Sequence, residues 1–165
     1  MKKSFPLEAM SKYKVEEFTE EDAEEISELT KIVWPKALEY PEEWRRKRIL
    51  TREQVVEEMR KGYHFFGVRL DGKIVGFYKL SRVGDACFGE HQTIHPSYRG
   101  RGLALAMYEQ FLEYAKKNGF KRALVNVLTT QIASIKCVTK FGFKKKGEPY
   151  EQAKGMLVQM YEKEV

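Results

Sequence analysis

The segment Pro96-Ser-Tyr-Arg-Gly-Arg-Gly-Leu-Ala-Leu105 most constrains what this chain can fold into. It follows an apolar-ended stretch, Cys87 to Ile94, and opens a helically periodic one near Leu103. Arg99 to Ala104 therefore occupy a turn between a strand and a helix, with small residues at 100, 102 and 104 and positive charge at 99 and 101. Glycine lets the main chain approach a ligand closely, the first helical N–H groups have no partner within the helix, and the helix dipole favours negative charge there. The arrangement suits an anion lying against bare backbone. Its bland counterpart is a glycine turn that caps a surface helix.

The rest of the chain alternates strand and helix signals. Tyr13 to Phe18 reads as a strand, and Thr19 with the acids after it caps a helix to about Val33. Trp34 to Pro41 is irregular and aromatic-rich, and Thr51-Arg-Glu-Gln54 is a capping-box signature for a helix to about Lys61. Tyr63 to Leu70 and Lys73 to Ser81 are strands joined by Asp71-Gly72, a strong hairpin signal. A strand at about 86–94 and a helix at about 103–118 follow, then a strand at 122–128 and a helix at 132–140. A short strand near 143–146 and a final strand from Met156 to Tyr161 complete the order, with Glu148-Pro-Tyr-Glu151 as the connection between them. Leu105, Tyr108, Leu112 and Ala115 form the apolar stripe of the central helix, flanked by Met107, Phe111 and Tyr114, and all read as core.

No repeat or linker interrupts the 165 residues, so residues 1–165 read as one domain. Neither end shows a secretory signal, and no apolar run approaches the ~18 residues a membrane span needs. Cys87 and Cys137 make no disulfide framework and read as buried thiols of a cytoplasmic protein. The net charge of +6 and pI near 9.2 suit an anionic ligand but are a weak signal alone.

No Walker loop occurs, and Gly100-Arg101-Gly102 lacks the third glycine of a dinucleotide fingerprint. Arg99, Gly102 and Ala104 do meet the pattern R/Q-x-x-G-x-G/A, preceded by Thr93-Ile-His-Pro96. This resembles motif A of the GNAT acetyltransferase superfamily. Gln131-Ile-Ala-Ser-Ile-Lys-Cys-Val-Thr-Lys-Phe-Gly-Phe143 resembles its motif B, with Ser134, Lys140, Gly142 and Phe143 in register. The motifs cover about residues 86–143. The resemblance implies an α/β/α sandwich around a mixed, mostly antiparallel central sheet, and an acetyl-CoA-dependent N-acetyltransferase without a metal. It assigns acetyl-CoA to the backbone of Thr93 and Ile94, the loop Arg99, Gly100, Arg101, Gly102, Leu103 and Ala104, and Gln131 and Ser134. A homodimer fits it as well.

A thioester is already activated, so the protein must hold it, present an amine and remove a proton. Neutralising an alkylamine of pKa ~10.4 at pH 7 costs about 4.6 kcal/mol, against about 1 to 1.4 for an α-amine near 8. A general base is worth most for the first class. Glu90 and His91 lie on the 86–94 strand, and strand alternation puts them on opposite faces, Glu90 with Gln92 and Ile94. Glu90 is the favoured base, because a glutamate on this strand serves several relatives. His91, or a base elsewhere, or none, remain as alternatives. A lone strand glutamate is commonly a solvated edge residue, and His64, His91 and His95 all have structural readings.

The family's proton-donating tyrosine of motif B is Val138 here, and Gln131 replaces the usual asparagine. Tyr150 and Tyr161 are the substitutes that the last strands offer. Val138 and Gln131 also support a rival reading, a non-catalytic acyl-CoA-binding or sensing module. Trp34, Tyr40 and Trp44 stand where relatives overhang the acceptor amine, with Glu39, Glu42 and Glu43 to attract a cation. Glu148 to Glu151 would form the opposite wall. Small amines, polyamines and peptide N-termini all remain open as acceptors. Arg45-Arg-Lys-Arg48 and Lys144-Lys-Lys146 are short, have acids nearby and lack base-stacking motifs, so they read as solvated faces rather than nucleic-acid sites.

Overall fold

The structure, a computed structural model, describes residues 13–165. Within them seven strands form a single sheet, β1 (Glu16–Glu17), β2 (His64–Leu70), β3 (Lys73–Val83), β4 (Ala86–Ile94), β5 (Arg122–Leu128), β6 (Lys144–Ala153) and β7 (Met156–Glu164). Their order is β1-β2-β3-β4-β5-β7-β6, and the β4–β5 pair alone is parallel. The described helices are α1 (Ala23–Val33), α2 (Glu42–Arg48), α3 (Arg52–Arg60), α4 (Leu103–Lys117) and α5 (Ile132–Lys140). The expected mixed, mostly antiparallel sheet with helices on both faces is present.

Alternation along the strands builds two cores. Phe65 and Phe77 pack with Ile26, Leu29 and Val55 on the α1–α3 side. Their chain neighbours Phe66 and Tyr78 pack with Met107, Phe111 and Val125 on the α4 side. One residue's step reverses the face, so each aromatic pair feeds both layers. Asp71 and Gly72, at φ 50° and 77°, make the β2–β3 turn in the left-handed conformation that matches strand twist. At Thr51 the side chain accepts from Gln54 N at 3.1 Å while Gln54 Oε1 accepts from Thr51 N at 2.8 Å, closing the capping box.

Several expectations are corrected. The first strand shrinks to Glu16–Glu17, and Cys137 is half-buried, unlike the buried Cys87. On α4 the buried line is Leu103, Ala106, Met107, Phe111 and Ala115, with Leu105, Tyr108 and Leu112 half-buried on its flank. Residues 42–48, within a stretch assigned no element, form α2. Its acids Glu42 and Glu43 lie in the first turn and Arg45 to Arg48 in the last, complementing the helix dipole. The last hairpin turns at Lys154-Gly155, so Glu148 to Glu151 lie inside β6 and join nothing. Gly147, Glu148 and Pro149 bulge out between Lys146↔Met160 and Tyr150↔Val158, and Gln159 Nε2 donates to the carbonyls of Lys146 and Gly147. A proline is tolerated on an edge strand at such a bulge, which is why the break signal misled.

Candidate active site

A bulge in β4 organises the site. Phe77 pairs with Thr93 and Lys79 with Glu90, so Tyr78 faces both His91 and Gln92. His91 takes a left-handed φ of 65°, a conformation costing a side-chain-bearing residue ~1–2 kcal/mol. The extra residue breaks the alternation expected for this strand. Glu90 is the cross-strand partner of Lys79, which packs over Tyr63 and binds Glu58 at 2.6 Å. His91 lies against Phe77 and Trp34, and Trp34 Nε1 donates to Thr93 Oγ1 at 2.9 Å. Glu90, His91 and Thr93 thus share the α1–α3 side, whereas Ile94 packs with Leu103 on the other. The expected grouping of Glu90 with Gln92 and Ile94 is overturned, because one inserted residue shifts a period of two by half a cycle.

The bulge also parts the sheet. β4 and β5 pair from Ala86↔Arg122 to Gly89↔Val125 and no further, leaving the facing backbone edges of Glu90–Ile94 and Asn126–Leu128 without strand partners on that side. A cavity of about 420 Å³ opens at this divergence. Glu90, His91 and Ile94 line it from β4, and Asn126 to Leu128 from β5. Two buried polar atoms of the lining, His91 Nδ1 and Asn126 Oδ1, have no hydrogen-bond partner among the described residues. Burial, with the charges of Arg48 and Lys79 adding to it, holds the His91 imidazole well below its ordinary pKa. A neutral ring whose Nε2 lies 3.0 Å from the Arg48 carbonyl donates there, so Nδ1 carries the lone pair.

The glycine loop follows β4 directly. Gly102 caps α4 in the left-handed conformation, φ 88° and ψ 10°, without a side-chain cap, and Gly100 has φ 72°. The N-cap residue of the 15-residue α4 therefore offers no side-chain acceptor to its leading N–H groups. Arg99 lines the cavity, Gly100 and Arg101 are exposed, Gly102 and Ala104 are half-buried, and the Leu103 side chain is buried. Thr93 is fully buried, with its hydroxyl donating to the His91 carbonyl at 2.9 Å.

From α5, Ser134 lines the cavity, and Gln131 Nε2 sits 3.3 Å from Tyr40 Oη and 3.4 Å from Glu39. The helix ends as its sequence indicates, with Gly142 at φ 87° and Phe143 N donating to the Val138 carbonyl. Val138 is fully buried core. Neither Tyr150 nor Tyr161 belongs to the lining, since Tyr150 is exposed on an edge strand and Tyr161 is packed in the core. The tyrosines that do line the cavity are Tyr40, Tyr78 and Tyr108, the last held among Phe111, Phe141 and Phe143. Burial, with Cys137 and Tyr40 adding to it, pushes the Tyr108 phenol above its ordinary range. A residue on an apolar helical stripe reads as core from sequence, which hid it.

Trp34, Glu39, Tyr40 and Trp44 line the cavity, while Glu42 and Glu43 do not. Gln152, Met156 and Val158 supply the wall expected from Glu148 to Glu151. The basic run of α2 turns inward at two positions. Arg45 donates to the carbonyls of Tyr40 and Pro35, and Arg48 binds Glu90 at 3.3 Å while stacked 4.3 Å from the Trp44 ring centre. Arg48 and Asn126 were the site residues least visible in sequence. The dipole-matched charges of α2 are the one local signal for the first. Among the described residues no helix is long and apolar enough to cross a membrane, and no cluster of His, Cys, Asp and Glu is arranged for a metal.

Comparison with known proteins agrees with this architecture. The model of the Acetyltransferase (GNAT) family matches residues 18–143. Human N-acetyltransferase 8B is 24% identical over 106 residues, 61% of this chain and 47% of its own length. Human N-acetyltransferase 8 is 24% identical over 96 residues, 54% of this chain and 42% of its own length, so the chain spans under half of either relative. Among solved structures, PaiA N-acetyltransferase from Thermoplasma acidophilum in complex with coenzyme A has a TM-score of 0.74 at 20% identity, over 92% of this chain and 98% of its own. The ribosomal-protein-S18-alanine N-acetyltransferase from Escherichia coli has a TM-score of 0.73 at 16% identity, over 92% and 93%. With its family model matched through both motifs, this chain belongs to the GNAT acetyltransferase family.

Proposed function

We propose that this protein is an acetyl-CoA-dependent N-acetyltransferase that acts on a primary amine by direct attack on the thioester. The observation that carries the reading is the parting of β4 from β5 at Gly89 and Val125, with a 420 Å³ cavity in the gap and the start of α4, which no side chain caps, following it. An extended arm bearing amides suits open strand edges and the orphan acceptor Asn126 Oδ1, and a pyrophosphate suits helical N–H groups beside Arg99 and Arg101. Thr93 and Ile94 would serve the arm through backbone, Arg99 to Ala104 the pyrophosphate, and Gln131 and Ser134 the α5 side.

When bound, acetyl-CoA supplies an acetyl group activated as a thioester. Amine and thioester give amide and thiol: a C–N bond forms as a C–S bond breaks, one proton leaves nitrogen and one reaches sulfur. Glu90 accepts the proton from nitrogen, directly or through water, from a cavity wall it shares with Trp34 and Tyr40. Tyr108 retains its proton and donates a hydrogen bond toward the developing thiolate, the role that Val138 leaves open, and the sulfur takes its proton from water. Thiols ionise near pKa ~8.5, so a hydrogen bond suffices where a strong acid is absent.

Acetyl-CoA binding by calorimetry, followed by thiol release against amines, polyamines and short peptides, tests this. Binding with amine-dependent release is expected. Binding without release across that panel favours the second reading, a non-catalytic acyl-CoA sensor, for which the buried Val138 is the supporting observation. Absence of binding removes both.

A further inference from the structure

Resting on the acetyltransferase reading, we infer that the acceptor is a free α-amino acid with an apolar side chain, its amine on Glu90 and its carboxylate on Arg48. Arg48 and Glu90 both line the cavity as one ion pair, with side-chain exposures of 13% and 21%. The pair is loose. A single Nη1–Oε1 contact of 3.3 Å joins them, where charge-assisted bonds settle at ~2.7–2.9 Å. It is also the one side-chain hydrogen bond of either group among the described residues, so donors of the guanidinium and an oxygen of the carboxylate are left over.

This pair selects by charge. An amine with no other charge, arriving as an ammonium at Glu90, comes within a few ångströms of the Arg48 guanidinium. Two like charges a few ångströms apart repel strongly even where the protein surface partly screens them. A polyamine brings more of the same sign. An amino acid brings a carboxylate as well, and splitting one loose ion pair yields two, ammonium to Glu90 and carboxylate to Arg48. Trp44 stacks under Arg48 and holds the guanidinium in place. Trp34 and Tyr40, with ring centres 5.2 Å apart, give an apolar side chain its contact.

The probes are L-phenylalanine, L-phenylalaninamide (which carries an amide like a peptide N-terminus) and phenethylamine, each compared by kcat/KM from thiol release with acetyl-CoA saturating. L-Phenylalanine should exceed phenethylamine at least tenfold, with the amide close to the amine. The Arg48→Met variant should lower that ratio at least tenfold. A measurement that needs no variant runs alongside it. 3-Phenylpropionate, a carboxylate without an amine, should inhibit wild-type protein competitively against L-phenylalanine and more strongly than N-methylphenylacetamide, which is uncharged. Equal or better turnover of phenethylamine, or a ratio unchanged in Arg48→Met, overturns the inference and leaves the acetyltransferase reading intact. Bound acetyl-CoA with release from none of the three probes and none of the wider panel overturns both.

Discussion

The indole N–H of Trp34 donates to the buried hydroxyl of Thr93 at 2.9 Å, joining the end of α1 to the bulged end of β4. Thr93 passes the constraint on by donating to the carbonyl of His91, the residue in the left-handed conformation. One hydroxyl thus fixes both the aromatic roof and the bulge. Thr93→Val keeps the shape and removes the acceptor, stranding a buried N–H. The expected loss of unfolding free energy in urea titration is about 1–3 kcal/mol.

His91 makes the fold sensitive to mild acid. Its pKa is held well below the ordinary 6.5 in the folded state, so between that value and the depressed one the unfolded chain binds the extra proton. Stability is therefore fully present above pH ~6.5 and falls as pH drops, with a limiting slope of about 1.4 kcal/mol per pH unit for this group. Chemical denaturation at pH 7 and 5.5 should show the decline. His91→Asn tolerates the left-handed backbone and does not titrate, so its decline should be shallower.

Gly102→Val tests the loop. A Cβ here has space, with Tyr13 Cε2 at 3.9 Å its nearest neighbour outside the adjoining chain, so the effect is conformational: φ of 88° is strained for a β-branched residue. Re-aiming the start of α4 should weaken acetyl-CoA at least tenfold by calorimetry, while the melting temperature falls by a few degrees only.

Glu90→Gln and Tyr108→Phe separate the two ends of the reaction. The first should lower kcat by roughly 10²-fold, within the range for a positioned base, with acetyl-CoA affinity within about twofold of wild type. The second should lower kcat by about tenfold with a natural thioester. That loss should shrink with an acyl donor whose leaving thiol has a lower pKa, because such a thiolate needs less hydrogen bonding.

Much of this was legible in the residues themselves. The hairpin at Asp71-Gly72, the capping box at Thr51, and the bounds of β5 and α5 rest on local sterics and hydrogen bonding, and the structure has them as read. Where two local rules collided, the reading failed. Glu148-Pro-Tyr-Glu151 read as a connection, but an edge strand absorbs Pro149 in a bulge. Tyr108 sits at a helical spacing that marks core, and it nonetheless lines the cavity.

By itself the amino-acid sequence determined the strand-to-helix joint at Gly102, the order of the central elements and the family motifs around them. These depend on glycine's access to positive φ and on contacts between near neighbours. Only the tertiary structure decided which face Glu90 presents and what meets it. The bulge at His91 reflects strand register against β3, and Arg48 reaches Glu90 across 42 positions of sequence once α2 packs beside the parted strands. No periodicity encodes such a meeting, because it is set by how separate elements pack together.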